Sequence, residues 1–126
     1  MDAEQLSELK LLTSTYTGCK DFELLNPKGD KFIKEGDMVF SRQLLVYYLK
    51  TEQGMSNKKA GQQFAIKIDH ATVMHSCNVI RNYMETDKTI RKLVNDFIQD
   101  AKYLIYGQPE ENEVQEQINS YFLITC

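Results

Sequence analysis

The chain has 126 residues, 42% of them hydrophobic, with 15 Lys and Arg against 18 Asp and Glu. This composition is typical of one soluble domain and excludes a disordered or collagen-like chain. Apolar runs stay far below the roughly 20 residues that a membrane helix needs, and the first residues show no signal-peptide pattern. We therefore expect a single domain over residues 1–126, located in the cytoplasm and without a membrane partner.

The net charge of −3 hides a separation of charge along the chain. Residues 56–92 carry seven basic and three acidic residues, whereas residues 93–126 carry one basic and six acidic residues. The overall charge argues against a general polyanion binder, but the positive charge is gathered in the middle of the chain.

The sequence pattern of the N-terminal part predicts one helix followed by a loop. Leucines at a three-residue spacing predict an amphipathic helix over residues 3–15 that ends near Gly18. Turn-forming residues are dense over residues 21–37, which predicts a loop with one short extended stretch at 31–34. Residues 1–40 are therefore expected to form an N-terminal helix and loop.

Two serines are placed to begin the next two helices. Ser41 is the predicted N-cap of a helix over residues 42–52, which Gly54 ends. Ser56 is the predicted N-cap of a short helix over residues 57–64, where small residues in the middle allow a second helix to approach closely.

A longer helix is predicted from Asp69, its N-cap, to about residue 84. Its inward-facing stripe is Val73, Cys77, Ile80 and Met84. The opposite face collects small or hydrogen-bonding residues that suit a base edge or a phosphate: Ala71, His75, Asn78 and Asn82.

The last long helix is predicted over residues 87–106, where apolar residues alternate four and three apart as in a packed seam. Pro109 ends any helix there, and residues 110–126 form an acidic stretch with the pattern of one more helix. Residues 121–125 alone also fit a strand. Helices dominate this pattern, so we predict an all-α core over residues 41–106 with an acidic C-terminal extension at 107–126.

The sequence motifs argue against catalysis and against a bound metal. GxxxxGK[ST], GxGxxG, HExxH and GxSxG are all missing, so we do not expect an enzyme or a cofactor. His70, His75 and Cys77 cannot converge on a metal from one helix, because only residues three or four apart share a face. The three cysteines lack CxxC spacing, which favours free thiols.

The short helix at 57–64 and the helix that starts at Asp69 have the spacing of a helix-turn-helix, in which the start of the second helix reads the major groove. The residues expected beside backbone phosphates are Lys58, Lys59 and Lys67. The residues expected at base edges are Asp69, His70, Ala71 and Thr72. The carboxylate can accept from a cytosine amino group, and the threonine methyl can contact a thymine methyl.

The nine residues Asp69-His-Ala-Thr-Val-Met-His-Ser-Cys77 carry a resemblance to a known family. They match at seven positions the signature Asp-His-Ser/Thr-Thr-Val-hydrophobic-His-Ala-Cys of the C-terminal DNA-binding domain of the bacterial replication initiator DnaA. A Ser-x-x-x-x-Gly-x-x-Phe stretch from Ser56 and the Ser-Arg-Gln at Ser41 extend the resemblance, which runs from about residue 34 to residue 97.

This resemblance implies an all-α, Trp-repressor-like helix-turn-helix bundle that recognises a short duplex site. By position, the major-groove base readers are Asp69, His70, Ala71 and Thr72. The implied phosphate or groove-edge contacts are Arg42, Gln43, Lys58, Lys59 and His75. The exposed face of the same helix adds Asn78 to the expected DNA-binding residues.

Three departures from the family pattern affect DNA recognition. Ala71 replaces a hydroxyl residue, which removes one hydrogen bond to DNA and predicts a different preferred sequence. The turn Phe64-Ala-Ile-Lys-Ile68 is one residue longer than the family's, with Lys67 in place of an Arg. The family's basic minor-groove loop aligns with Lys34-Glu-Gly-Asp-Met38, whose two acids predict weak minor-groove binding.

These observations lead to the hypothesis of a stand-alone, non-catalytic protein that binds specific double-stranded DNA in replication or transcription control, of bacterial or mobile-element origin. Five to seven expected phosphate contacts predict modest, salt-dependent affinity, so a homodimer or a protein partner held through the terminal segments is expected. The alternative is a protein-interaction module that keeps the helix-turn-helix scaffold but has lost DNA binding.

Overall fold

The structure is a computed structural model that describes residues 1–20, 35–65 and 67–107, and this part of the chain forms five helices and no strand. The helices are α1 (Ala3–Thr17), α2 (Glu35–Thr51), α3 (Asn57–Gln62), α4 (His70–Thr86) and α5 (Lys88–Tyr106). The predicted all-α helix-turn-helix bundle with an additional N-terminal helix is confirmed. None of these five helices combines the length and the apolar character needed to cross a membrane.

Local capping interactions explain where α1 begins and ends. The Asp2 side chain accepts a hydrogen bond from Gln5 N at 2.8 Å, and the Gln5 side chain accepts one from Asp2 N at 3.1 Å. This reciprocal pair satisfies two backbone donors that the first helical turn would otherwise leave free. At the other end Gly18 adopts a left-handed conformation with φ of 70°, which only glycine reaches without strain. The predicted helix end near Gly18 is confirmed.

The start of α2 differs from the prediction. The helix begins at Glu35, so the predicted loop is wrong over residues 35–37 and Ser41 is not an N-cap. Ser41 is fully buried in the helix, and its hydroxyl lies 2.7 Å from the Asp37 carbonyl oxygen and 2.7 Å from Thr17 Oγ1. Glu35-Gly-Asp37 has the composition of a turn, but acidic residues are also favourable in a first helical turn, and α2 extends through these three residues.

The core is built around α2. Leu44, Leu45, Val46, Tyr48 and Leu49 have no exposed surface, and α2 packs against α1, α3 and α4. The predicted inward stripe of α4 is confirmed, because Val73, Cys77 and Ile80 are buried and Met84 packs partly buried against the same core.

Aromatic rings close the core where α1, α2 and α5 meet. The fully buried Phe97 ring makes edge contacts with Tyr16 and Tyr48, at centroid distances of 5.5 and 6.0 Å. The Tyr16 hydroxyl donates to the Asp100 carboxylate. Burial raises the pKa of Tyr16 to about 12, and the hydrogen bond and negative charge of Asp100 add to the shift. This cluster joins the first and last described helices.

Some predictions fall on residues that the structure does not describe. The extended stretch at 31–34, the helix or strand within 110–126 and the thiol of Cys126 lie outside the described residues. Cys19 and Cys77 are buried, and neither forms a disulfide within the described part of the chain. The division of the chain at residue 40 stays a prediction, and α2 runs across that position.

Candidate nucleic-acid interface

The helix-turn-helix is held together by a close contact between backbones. Gly61, near the end of α3, is buried, and a Cβ built there would lie 2.1 Å from the carbonyl oxygen of Ile68. Ile68 N donates to Gly61 O at 3.2 Å. Val73 of α4 approaches the same point, since its Cγ2 would be 3.4 Å from that Cβ. The absence of a side chain at Gly61 therefore allows α3 to pack against the start of α4.

Two predicted N-caps are confirmed at the starts of α3 and α4. Lys59 N donates to Ser56 Oγ at 3.1 Å, and Thr72 N donates to Asp69 Oδ1 at 2.7 Å. The side-chain and backbone hydrogen bonds from Thr72 hold the pKa of Asp69 below its usual value. Asp69 is thus an ionised N-cap. Its carboxylate can accept from a base only with the lone pairs that the hydrogen bonds from Thr72 leave free.

The four expected base readers lie on the cap and first turn of α4, and all are exposed: Asp69, His70, Ala71 and Thr72. His75 and Asn78, farther along the same helix, are exposed on the side opposite the buried stripe. The structure therefore presents a polar surface with small side chains at the start of α4, as a helix that enters a major groove requires.

The predicted phosphate-binding lysines flank this surface. Lys58 and Lys59 are exposed on α3, and Lys67 is exposed in the turn that leads to α4. None of the three forms an ion pair with a residue of the described ranges. Unpaired ammonium groups beside an exposed helix start are well suited to binding phosphate oxygens.

Arg42 and Gln43 lie on α2, the helix that supports α4, and both are half-buried. Arg42 also interacts with other groups of the protein. These two side chains are therefore less available for DNA than the lysines of α3, and their predicted contacts with phosphate stay predictions.

A shallow groove of about 190 Å³ lies next to the start of α3 and α4. Its lining is Lys50, Asn57, Met74, Cys77, Asn78 and Arg81. Lys50 and Arg81 were missed from the sequence, although positions 74, 78 and 81 have the spacing of one helical face. Burial raises the pKa of the Cys77 thiol, so this cysteine is a core residue rather than a reactive group.

Comparison with known proteins gives one consistent relationship. The chain is 35% identical over 92 residues to the chromosomal replication initiator protein DnaA of Lactobacillus johnsonii, covering 73% of the chain and 19% of that protein. The DnaA proteins of Bacteroides fragilis and Flavobacterium psychrophilum are 34% and 36% identical over 73 and 76 residues, 58% and 60% of the chain and 15% of each relative. No protein-family profile and no solved structure matches the chain.

The chain thus spans a fifth or less of the length of these curated relatives. The resemblance read from the motif at residues 69–77 is confirmed by the comparisons. Similarity reaches beyond that motif to well over half of the chain.

Proposed function

We propose that this chain, similar to the C-terminal DNA-binding domain of DnaA, is a non-catalytic protein that binds specific double-stranded DNA in replication or transcription control. The observation that carries the proposal is the exposed first turn of α4, together with three exposed lysines on α3 and in the turn that form no ion pair with a described residue. Similarity to proteins named chromosomal replication initiators supports it. The proposal includes a cytoplasmic location.

In the proposed complex α4 enters the major groove and α3 lies across the phosphate backbone. Thr72 and His70 supply hydrogen bonds to base edges, and Ala71 contacts the methyl group of thymine. Lys58 and Lys59 neutralise phosphates, which sets the position of the protein without selecting sequence. Recognition and affinity are thereby divided between α4 and α3.

The decisive test reverses the charge on α3. Lys58→Glu combined with Lys59→Glu should abolish detectable binding to a fluorescent random duplex at low salt, measured by polarisation. If residual binding is measurable, the slope of log affinity against log salt should fall by about two, since two phosphate contacts are lost.

The matched control is Lys88→Glu with Lys92→Glu, which changes the net charge equally. Both residues are exposed at the start of α5, which begins directly after the C-terminal end of α4, and α4 itself is about 25 Å long. Lys92 forms an exposed ion pair with Asp96, and the loss of such a surface pair has little effect on folding. The control should bind as the wild type does.

Two results would overturn the proposal. Equal loss of binding in both double variants would mean that only the overall charge matters, and the assigned face would be wrong. No binding by the wild-type protein at low salt would favour the alternative, a protein-interaction module on the same scaffold. Selection of duplexes from a random pool would then identify the recognised sequence of a binding protein.

We further propose that one copy binds DNA weakly and that a second copy or another protein strengthens binding. The roughly five to seven phosphate contacts expected from one copy would give modest affinity that depends strongly on salt. The terminal segments predicted to hold this partner include residues 108–126, which lie outside the described residues. Half-site spacing in the selected duplexes would reveal a symmetric dimer.

A further inference from the structure

One hydrogen bond joins the first residues of α3 and α4. Asn57 Nδ2 lies 3.2 Å from His70 Nε2. An amide NH₂ group is a donor only, so in this contact the ring nitrogen Nε2 accepts. A neutral imidazole that accepts at Nε2 carries its proton on Nδ1. The contact therefore specifies one tautomer of His70.

The surroundings of the Asn57 amide oxygen support the orientation in which the amide nitrogen Nδ2 faces His70. Asn57 Oδ1 is buried, and it is the one buried side-chain polar atom of the described residues without a hydrogen-bond partner. Rotating the amide by half a turn would place the NH₂ group there instead. A buried N–H without a partner is rarer in proteins than an under-satisfied oxygen, and the rotated amide would bury two such donors.

Positive charge near Asn57 favours the same orientation. Lys50 and Arg81 line the groove that Asn57 also lines, and neither forms an ion pair with a described residue. An amide oxygen carries partial negative charge, so it is more stable near two cations than an NH₂ group is. Burial and charge thus both direct the amide nitrogen toward His70.

We propose that Asn57 is a positioning residue that fixes His70 as the Nδ1–H tautomer and thereby determines which base edge the imidazole recognises. The role of His70 at a base edge rests on the proposed function. With Nδ1–H as its free group, His70 offers a donor, which fits guanine N7 or O6, adenine N7 or thymine O4. The cytosine amino group is a donor itself and is rejected.

The tautomer can be measured in the free protein by long-range ¹H–¹⁵N correlation spectra of the two histidines, well above the pH range in which imidazoles titrate. His70 should show a protonated Nδ1. His75 is the internal control, because it is exposed on the same helix and no hydrogen bond to its ring occurs among the described residues. It should show the Nε2–H form that predominates for free histidine in water.

Two substitutions of Asn57 make the assignment falsifiable. Asn57→Leu has a similar volume but no donor, so His70 should revert to the Nε2–H form. Asn57→Asp can only accept, so the proton should move to Nε2, and a carboxylate at the start of α3 should be tolerated by the helix. Circular dichroism would verify that each variant is folded. A wild-type His70 with Nε2–H, or a tautomer unchanged in both variants, would overturn the proposal.

Duplex selection with the wild type and Asn57→Leu then tests the effect on recognition. Preference should change at one base pair by roughly tenfold, and the salt dependence should stay the same because no phosphate contact is altered. An unchanged sequence preference would overturn the specificity role. If neither protein binds duplex while the spectra show the expected tautomers, the proposed function fails and the positioning of His70 by Asn57 stands.

Discussion

The two helix pairs of this protein are stabilised by different kinds of contact. α1 and α5 are long and joined by side chains, through the aromatic cluster at Phe97 and the hydrogen bond from Gln5 Nε2 to the Ile105 carbonyl oxygen at 3.0 Å. α3 and α4 meet where the turn backbone packs on Gly61 and through the hydrogen bond between the Asn57 and His70 side chains. The first pair is therefore joined by packed and hydrogen-bonded side chains, whereas the second pair exposes the polar first turn of α4.

This difference predicts that the two regions respond to substitution in different ways. Changes in the aromatic cluster should alter the free energy of unfolding and affect DNA binding only through the folded fraction. Changes on the exposed side of α4 should alter binding and leave stability nearly unchanged, because surface substitutions there remove few packed contacts.

The largest effect is expected for Phe97→Ala. The ring is fully buried and makes edge contacts with Tyr16 and Tyr48, so its removal leaves a cavity where three helices meet. We expect a loss of about 3–5 kcal/mol in the free energy of unfolding, measured by urea denaturation. The control is Tyr103→Ala on the same helix, where the side chain is 50% exposed. Equal losses in both variants would contradict the assignment of Phe97 to the core.

The second effect concerns the backbone contact between α3 and α4. Gly61→Ala places a Cβ 2.1 Å from the Ile68 carbonyl oxygen, so the turn must move. We expect a loss of about 1–3 kcal/mol in stability, together with weaker duplex binding because the lysines of α3 shift relative to α4.

Gly36→Ala is the matched control for this substitution. Gly36 lies in the first turn of α2, and its added Cβ would meet nothing within 4 Å. Alanine favours a helix over glycine by up to about 1 kcal/mol, so this variant should be as stable as the wild type or more stable. Destabilisation by Gly36→Ala would show that alanine substitution itself, rather than the contact at Ile68, explains the result.

Elements with local signals could be predicted from the sequence. The N-caps Ser56 and Asp69 satisfy donors only three residues away, and the left-handed Gly18 ends α1 within its own segment. The buried stripe of α4 follows from helical periodicity. Helical periodicity likewise predicts that Lys58 and Thr72 are exposed.

Features that depend on how helices pack could not be predicted in this way. α2 starts at Glu35 despite the turn-like composition of Glu35-Gly-Asp37, and Met38, which follows directly, is buried in the core shared by the helices. The hydrogen bond from Asn57 to His70 joins residues 13 positions apart, so it requires the angle between α3 and α4. The groove beside Lys50 likewise exists only after α2 and α4 are packed together.

A smaller effect, mainly on binding, is expected for Thr72→Ala, which also removes the side-chain hydrogen bond from Thr72 to the Asp69 cap. The exposed Thr72 side chain lies at the start of α4 and contributes a hydroxyl and a methyl group to the proposed base-reading surface. Its removal should weaken binding to the selected site by about 1–3 kcal/mol while affinity for random duplex stays the same. A parallel loss on both duplexes would indicate a change in the helix start rather than in base recognition.

The smallest effect is a pH dependence of stability at Asp69. Hydrogen bonds from Thr72 lower the pKa of this carboxyl in the folded protein, so the unfolded chain binds its proton more readily. The ionised cap therefore stabilises the fold above the unfolded pKa, and this contribution is lost as pH falls through the folded pKa.

Asp69→Asn keeps a side-chain oxygen for the N-cap without a charge. The wild type should be the more stable protein at neutral pH, and urea denaturation in acid, below the usual aspartate pKa of 3.8, should show the two proteins converging. A difference in stability that persists in acid would contradict this prediction. It would mean that the charge of the Asp69 carboxylate does not stabilise the first turn of α4.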